Sequence, residues 1–392
     1  MSYLVLARKY RSNTFDEVVG QEHIGQTLVN AIKSGRVAHA FLFTGTRGVG
    51  KTTMARILAK ALNCLAVEEA TSEPCNECEA CVAISRGDDM DVIEIDGASN
   101  RGIEEIRELR ASAIFSPSRC RYKIYYIDEV HMLTREAFNA LLKTLEEPPA
   151  HVKFIFSTTE TEKVPATILS RCQRFDFRNI ATRAIASHLR VICEAENVQA
   201  ADDALFRVAR AAGGSMRDGL SLLDQLMSAS GAVTDEGVIR ILGTPPDERM
   251  NEIVGAIADG DAAVALGALD GVLSSGVTLN SVVTALGGVY RNMMLAVTCG
   301  GDSDLIELPE TERQAVCELA KRFSTPVLVH GLGLIQGAGR NIRGSSVARG
   351  LVEATLVRLA QAEKFINPEN IVERLEQLSS SGPDAGQKKK HS

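Results

Sequence analysis

Short apolar runs recur through the first half of the chain: Phe41-Leu42-Phe43, Val92-Ile93-Glu94-Ile95, Ile124-Tyr125-Tyr126-Ile127, Val152-Lys153-Phe154-Ile155-Phe156 and Phe175-Asp176-Phe177. Runs this brief and continuous predict strands buried on both faces. Between them the apolar positions return at helical spacing, from about Ile24, from Met54 to Leu62, from Ile103 to Ala111, and from Thr134 to Leu145, where Pro148-Pro149 impose a stop. Strands alternating with helices predict an α/β domain with a parallel sheet over residues 1–179. From 180 to 243 the pattern is helical throughout, and Thr244-Pro245-Pro246 marks a boundary to a second helical region, 244–368. There Val282, Leu286, Val289, Met293 and Val297 form a stripe expected in a bundle core rather than in a cofactor site. Residues 369–392 are polar, contain Gly382-Pro383 and Lys388-Lys389-Lys390, and are expected to be disordered.

The first strand runs into Gly45-Thr46-Arg47-Gly48-Val49-Gly50-Lys51-Thr52-Thr53, a G-x-x-x-x-G-K-T loop that opens a helix. Such a loop turns successive backbone N–H groups inward, and the helix adds its positive end, so the stretch predicts a phosphate cradle. Lys51 is expected on the β- and γ-phosphates of a nucleotide, and Thr52 on Mg²⁺. The third apolar run delivers Asp128-Glu129 at its C-terminal end, where an open α/β sheet places its ligands. Asp128 is expected to hold Mg²⁺ and Glu129 to orient and polarise the attacking water. The next run ends in Ser157-Thr158-Thr159, hydroxyls that a neighbouring strand would bring near the γ-phosphate, or threonines that simply favour a strand edge. In Gly213-Gly214-Ser215-Met216-Arg217-Asp218, Ser215 is a natural N-cap. Arg217 then falls in a first helical turn, where a cation needs an anion opposite it.

Cys64, Cys75, Cys78 and Cys81 have a spacing that suits four thiolates around tetrahedral Zn²⁺, a closed and therefore structural site. Glu73, Glu77 and Glu79 make the same stretch a poor apolar core. The other five of the nine cysteines are scattered and read as small core residues. Asn100 and Arg101 precede the helix from Ile103 and could meet a nucleic-acid phosphate, unless Ser99 or Asn100 only caps that helix. The N-terminal arm, Leu6 to Glu22, either lies across the nucleotide's base or packs on the surface.

Composition changes this picture little. The chain has 392 residues, 45% of them hydrophobic and 24% charged, as in ordinary globular proteins. A formal charge of -7 argues against a nucleic-acid coat but not against a local basic lining. Without an apolar signal core or an uninterrupted apolar run of about 18 residues, a soluble cytoplasmic protein with no membrane partner is expected.

Taken together, GTRGVGKTT, the cysteine set, IDEVHMLT, NALLKTLEEPP, ILSRC and GSMRD resemble the AAA+ ATPases and, among them, the gamma/tau family of bacterial clamp-loader subunits of DNA polymerase III, over residues 1 to about 368. The resemblance implies an AAA+ P-loop domain, a helical lid and a helical collar that assembles a five-subunit ring with delta-type and delta-prime-type subunits. It implies ATP as the nucleotide, with a sliding clamp and primer-template DNA as partners and DNA-triggered hydrolysis as the activity. It places a finger acting in trans on Arg171, a lid sensor on Arg217 and the sensor-1 position on Thr159. It places adenine contacts on Ala7, Arg11 and Val19. Since the long tau form continues past the collar, the chain looks like a short gamma-type form; its lysine triplet suits an A-rich frameshift site or an ordinary basic tail. Another AAA+ replication motor or initiator, or a non-hydrolysing loader subunit, is the alternative.

Overall fold

The computed structural model describes residues 5–303 and 305–362, so the expected disordered tail, 369–392, and the end of the expected collar lie outside the described residues. The chain divides into two compact units, Met1–Asp235 and Glu236–Ser392. In the first, α1 (Leu6–Lys9) and α2 (Glu22–Lys33) lead to β1 (Ala40–Thr44), α3 (Lys51–Asn63), α4 (Glu79–Arg86), β2 (Val92–Asp96) and α5 (Ile103–Ala113). Then come β3 (Lys123–Asp128), α6 (Arg135–Glu146), β4 (Val152–Thr158), α7 (Ala166–Leu169) and β5 (Gln173–Asp176), followed by α8 (Thr182–Ala195), α9 (Asp202–Ala211) and α10 (Met216–Ser230).

The five strands form one parallel sheet in the order β2-β3-β4-β1-β5. Every residue of β1 and β4 is buried, as central parallel strands covered by helices on both faces require. Side chains alternate between those faces. Phe41, Phe43, Tyr126 and Ile155 pack with Leu28, Met54, Ile57 and Leu58 of α2 and α3. Leu42, Tyr125, Phe154 and Phe156 pack with Ile106 and Leu109 of α5 and Phe138 and Leu141 of α6. Register then fixes what stands at the strand ends: Thr44 lies beside Thr158, and Asp96 beside Asp128. The cradle, the paired acids and the hydroxyl run therefore emerge at one edge.

The arm departs from the sequence pattern, which shows no helical stripe before Ile24. The single-turn α1 lies there, anchored by Lys9 Nζ on Glu196 Oε1 at 2.5 Å, with the Tyr10 hydroxyl on the same oxygen. Thr134 and Ser215 are the N-caps expected of them, accepting from Ala137 N and Asp218 N at 3.2 Å each.

The second unit contains α11 (Asp235–Leu242), which begins at the boundary, α12 (Asp247–Ala258), α13 (Ala262–Ser274), α14 (Leu279–Cys299), α15 (Glu310–Ala320), α16 (Thr325–Asn341) and α17 (Ala348–Ala360). Of the expected stripe, Val282, Leu286 and Met293 are in its core, with Val289 packed against them, while Val297 is exposed. Among the described residues, α14 alone is long and apolar enough to cross a membrane by length and composition.

Asp91 anchors the loop before β3 from a buried position. Burial works against its charge, but N–H groups of Ser118, Arg119 and Cys120 at 2.6–2.9 Å outweigh that and hold the carboxyl below its ordinary value. A depressed folded pKa gives stability that is present above the unfolded value of about 3.9 and is lost as pH falls through the folded value. Asp91→Asn should therefore lower stability at pH 7 by about 2–3 kcal/mol, as losing charge-assisted hydrogen bonds does, and calorimetry should show the gap to the parent closing below about pH 4.

Candidate functional site

The loop between β1 and α3 closes around its own lysine. Lys51, only 6% exposed, donates from Nζ to the carbonyls of Gly45 at 2.7 Å and Thr46 at 2.8 Å. Burial holds its ammonium below the ordinary lysine value, while Glu129 and Asp128 pull the other way. Two glycines make the fold of the loop possible. A Cβ on Gly45 would stand 2.7 Å from the Phe177 carbonyl, and one on Gly48 only 1.9 Å from Ser215 Oγ. Through that second approach α10 docks on the loop, with Arg217 N donating to Gly48 O at 3.4 Å.

Docking encloses a cavity of about 320 Å³. Of the expected nucleotide-binding residues, Ala7, Arg11, Val19, Arg47, Gly48, Val49, Gly50, Lys51, Thr52, Thr53 and Arg217 line it, together with Asp128 and Glu129. Gly45 and Thr46 stand behind it as the acceptors for Lys51. The pattern of residues does not disclose several other walls: Val18 and Ile180, His188 of α8, Leu220 of α10, and the pair Arg56–Glu94, joined at 2.8 Å. None lies in a motif; the docking of arm and lid brings Val18, Ile180, His188 and Leu220 here, while Arg56 and Glu94 come from α3 and β2. The Arg11 guanidinium is pulled below its usual range by burial and by Arg56, a sign of cations facing one space. Burial likewise lowers the His188 imidazole, favouring its neutral form.

Thr52 Oγ1 donates to Asp128 Oδ2 at 3.2 Å and receives the Tyr126 hydroxyl at 3.1 Å. Ser157 Oγ donates to the other Asp128 oxygen and meets Tyr126 at 3.0 Å. A hydroxyl and a carboxylate aligned in this way are a donor set suited to Mg²⁺. Glu129 sits in left-handed backbone at φ 46. Its Oε2 accepts from Thr159 N and Thr159 Oγ1, both at 3.1 Å, and lies 3.3 Å from His131 Nδ1. His131 also meets Thr158 Oγ1 at 2.9 Å and Glu160 at 3.2 Å.

Three expected site residues lie elsewhere in the unit. Arg171 is absent from the cavity wall; its guanidinium donates to the Thr167 carbonyl and to Glu146 Oε1, both at 2.7 Å. Asn100 and Arg101 belong to a loop folded onto Asp96, and neither Ser99 nor Asn100 caps α5, whose N-cap is Gly102.

Cys64, Cys75, Cys78 and Cys81 converge so that all four Sγ atoms lie within 4.8 Å of one another. Sulfurs about 2.3 Å from a tetrahedral Zn²⁺ stand roughly 3.8 Å apart, a spacing that lies within this limit, so the donor set fits the ion. Backbone N–H groups already point at the sulfurs: Cys75 N to Cys64 Sγ, Cys78 N to Cys75 Sγ and Cys81 N to Cys78 Sγ, at 3.3–3.5 Å. The N–H groups of Cys78 and Glu77 lower the Cys75 thiol to about 6, whereas burial raises Cys81.

A family model described as DNA polymerase III, delta subunit, matches residues 20–181. A second, for the ATPase lid domain of a DNA polymerase III clamp loader subunit, matches 184–232, and a third, for domain III of DNA polymerase III subunits gamma and tau, matches 233–375. Among curated proteins, the chain is 42% identical over 363 residues to DNA polymerase III subunit tau of Bacillus subtilis, covering 92% of this chain and 64% of that one. It is 44% identical over 313 residues to subunit tau of Escherichia coli, covering 79% and 48%. Over 284 residues it is 43% identical to DNA polymerase III subunit gamma of Buchnera aphidicola, covering 72% and 78%. The chain thus spans about half to two thirds of the length of the two tau relatives. Among solved structures, the Thermotoga maritima RuvB Holliday junction branch migration motor is similar at 17% identity and TM-score 0.46, over 63% of this chain and 78% of that one. A Bacillus subtilis DNA clamp loader delta protein is similar at 11% identity and TM-score 0.38, over 86% and 99%.

The docking of α10 on the loop can be tested at Gly48. Gly48→Ala puts a Cβ into Ser215, whereas Gly213→Ala, also at positive φ, meets nothing within 4 Å. Both carry the ~1–2 kcal/mol of left-handed strain, but only Gly48→Ala should weaken nucleotide binding by about tenfold or more in a fluorescence titration. Equal losses in the two variants would show that the close approach is irrelevant to binding.

Proposed function

This chain belongs to the gamma/tau family of bacterial DNA polymerase III subunits, and from that premise and the cavity's geometry we propose that it is an ATP-hydrolysing clamp-loader subunit. The observation that carries the proposal is one cavity lined by the phosphate loop, Lys51, the Thr52–Asp128 pair, Glu129 and the lid's Arg217. A non-hydrolysing loader subunit would not need that whole set in one place.

On this reading the domains are a nucleotide-binding domain, 1–179, with a zinc insert at 64–81, a lid, 180–243, and a collar, 244–368. The arm's Ala7 and Arg11, with Val19, hold the adenine end of ATP, and the loop's N–H groups and Lys51 hold the phosphates. Thr52 and Asp128 would hold Mg²⁺, which when bound neutralises charge between the phosphates. Glu129 orients and polarises the attacking water, Thr159 positions Glu129, and Arg217 reads the γ-phosphate from the lid. Arg171 serves the site of a neighbouring subunit. Cys64, Cys75, Cys78 and Cys81 would hold a structural Zn²⁺, whose closed shell leaves no position for a reacting water. Delta-type and delta-prime-type subunits complete a five-membered ring that opens a sliding clamp. Primer-template DNA, contacted in part through Asn100 and Arg101, triggers hydrolysis. The assembly works in the cytoplasm.

Separating grip from turnover tests the role assignment. Lys51→Ala should abolish ATP binding, whereas Glu129→Gln should bind ATP within about threefold of the parent and lose on the order of 10²–10⁴ in turnover. Equal loss of binding in both would sink it.

The trans role has its own test. Arg171→Ala should lose about 10³–10⁵ in DNA-stimulated turnover while the isolated chain keeps its nucleotide affinity. Chains carrying Lys51→Ala and chains carrying Arg171→Ala, assembled together, should regain activity at interfaces that pair an intact Lys51 with an intact Arg171. Confirmed mixed assemblies with no recovery would place Arg171 within its own subunit's chemistry or outside chemistry altogether.

A further inference from the structure

Lys60 lies nine residues past Lys51 on α3 and is only 1% exposed, yet among the described residues no carboxylate pairs with its ammonium. It donates instead to three amide oxygens: the Asn13 carbonyl at 3.1 Å, Asn13 Oδ1 at 3.2 Å and Asn76 Oδ1 at 2.6 Å. An ammonium has three donors, and holding one out of water is unfavourable unless all three are used. The acceptors come from two segments far apart in sequence, the N-terminal arm and the cysteine turn. Asn13 follows Arg11 and Ser12, which line the nucleotide cavity. Asn76 is the left-handed residue, φ 60, in the turn between Cys75 and Cys78. Its Nδ2 donates to the Pro74 carbonyl at 3.0 Å, so its amide is oriented by the cysteine turn itself.

A second thread joins the same two places. Cys78 Sγ caps α4 by accepting from Cys81 N, and near the other end of that helix the Ser85 carbonyl accepts from Arg56 Nη1 at 2.9 Å. Arg56 in turn holds Glu94 at 2.8 Å, and both line the cavity.

We propose that Lys60 is a positioning residue that couples metal occupancy of the four cysteines to the grip of the N-terminal arm on the nucleotide. The proposal rests on the zinc reading above. A bound ion would hold the four sulfurs in place and so fix the turn that presents Asn76. Lys60 then has its full set of acceptors and pins Asn13, which keeps Ser12 and Arg11 against the cavity. When the ion leaves, the turn relaxes, Lys60 loses its shortest hydrogen bond, and the arm loses its anchor. Because binding free energies are reciprocal, nucleotide must tighten Zn²⁺ by the same factor that Zn²⁺ tightens nucleotide.

The experiment uses the full chain, a fluorescent ATP analogue, Zn²⁺ competition against a chromophoric chelator, and metal content by emission spectroscopy. Stripping zinc from the parent should weaken the analogue by about tenfold, within the 5–150-fold range of ordinary coupling, and saturating analogue should tighten zinc by the same factor. Lys60→Met should keep its zinc but bind the analogue equally weakly with and without it. Asn76→Gly, which preserves the left-handed backbone, should do the same and guards against a folding defect at Lys60. A merely structural Lys60 would weaken binding in both zinc states and leave their ratio intact. If both variants keep the parent's ratio, or a fully zinc-loaded parent shows no zinc dependence, the coupling is refuted while the metal reading stands. A parent that neither contains nor takes up Zn²⁺ would overturn the metal reading and the coupling together.

Discussion

A lysine ammonium held out of water with no carboxylate hydrogen-bonded to it is the constraint on which the nucleotide-binding end of the first unit depends. Among the described residues, Lys51 donates to the carbonyls of Gly45 and Thr46 alone, although Asp128 and Glu129 line the same cavity. Had either acid closed on it, the pair would neutralise itself and leave little attraction for an anion; a carbonyl solvates the charge without cancelling it. Holding the lysine this way demands a loop curled back on itself, which demands the close approaches at Gly45 and Gly48. The approach at Gly48 is also what seats Ser215 and brings Arg217 to the cavity. Phosphate binding and lid position thus follow from one steric arrangement.

Much of the unit was legible in the chain because its signals are local. A phosphate loop between an apolar run and a helical stripe, two acids closing an apolar run, and an N-cap before Arg217 each show within a few residues. Strand order was not legible, since parallel pairing joins distant segments and depends on crossover packing. Only that order sets Thr52 against Asp128 and Ser157 against Tyr126. The cavity walls at Ile180, His188 and Leu220 were invisible for the same reason: each is an unremarkable residue of a linker or a helix until the lid docks. Lys60 is the sharpest case. Within an amphipathic helix a lysine reads as a solvated face, and its burial comes from the arm and the cysteine turn closing over it.

Glu129 shows a different kind of control. Its carboxylate is occupied by two donors from Thr159 and approached by His131, on a backbone already at positive φ. An oxygen that already accepts two hydrogen bonds has fewer lone-pair directions left for a water. In the proposed cycle, some of these contacts must loosen before Glu129 can act on water, so the hydroxyl run at the end of β4 both places the base and restrains it. The restraint comes from the sheet, and movement at β4 would reach the base directly.

The cations around the cavity come from separate pieces of chain: Arg11 from the arm, Arg47 and Lys51 from the loop, Arg56 from α3 and Arg217 from the lid. Without an anion they repel one another, and burial, with the repulsion from Arg56 and Arg217 added to it, holds Arg11 below its usual range. In the proposed function a polyphosphate would change the sign of that interaction and favour arm, loop and lid drawn together, so that binding energy would be converted into domain position. Arg171 fits this scheme as the one proposed cation that its own subunit keeps aside, ordered by Glu146 and Thr167 rather than by phosphate. Ordering a long side chain in advance spares that entropic cost at the moment of docking. On the proposed reading a neighbour's nucleotide would draw the guanidinium from Glu146, and hydrolysis would be contingent on the geometry of the assembly rather than on nucleotide binding alone.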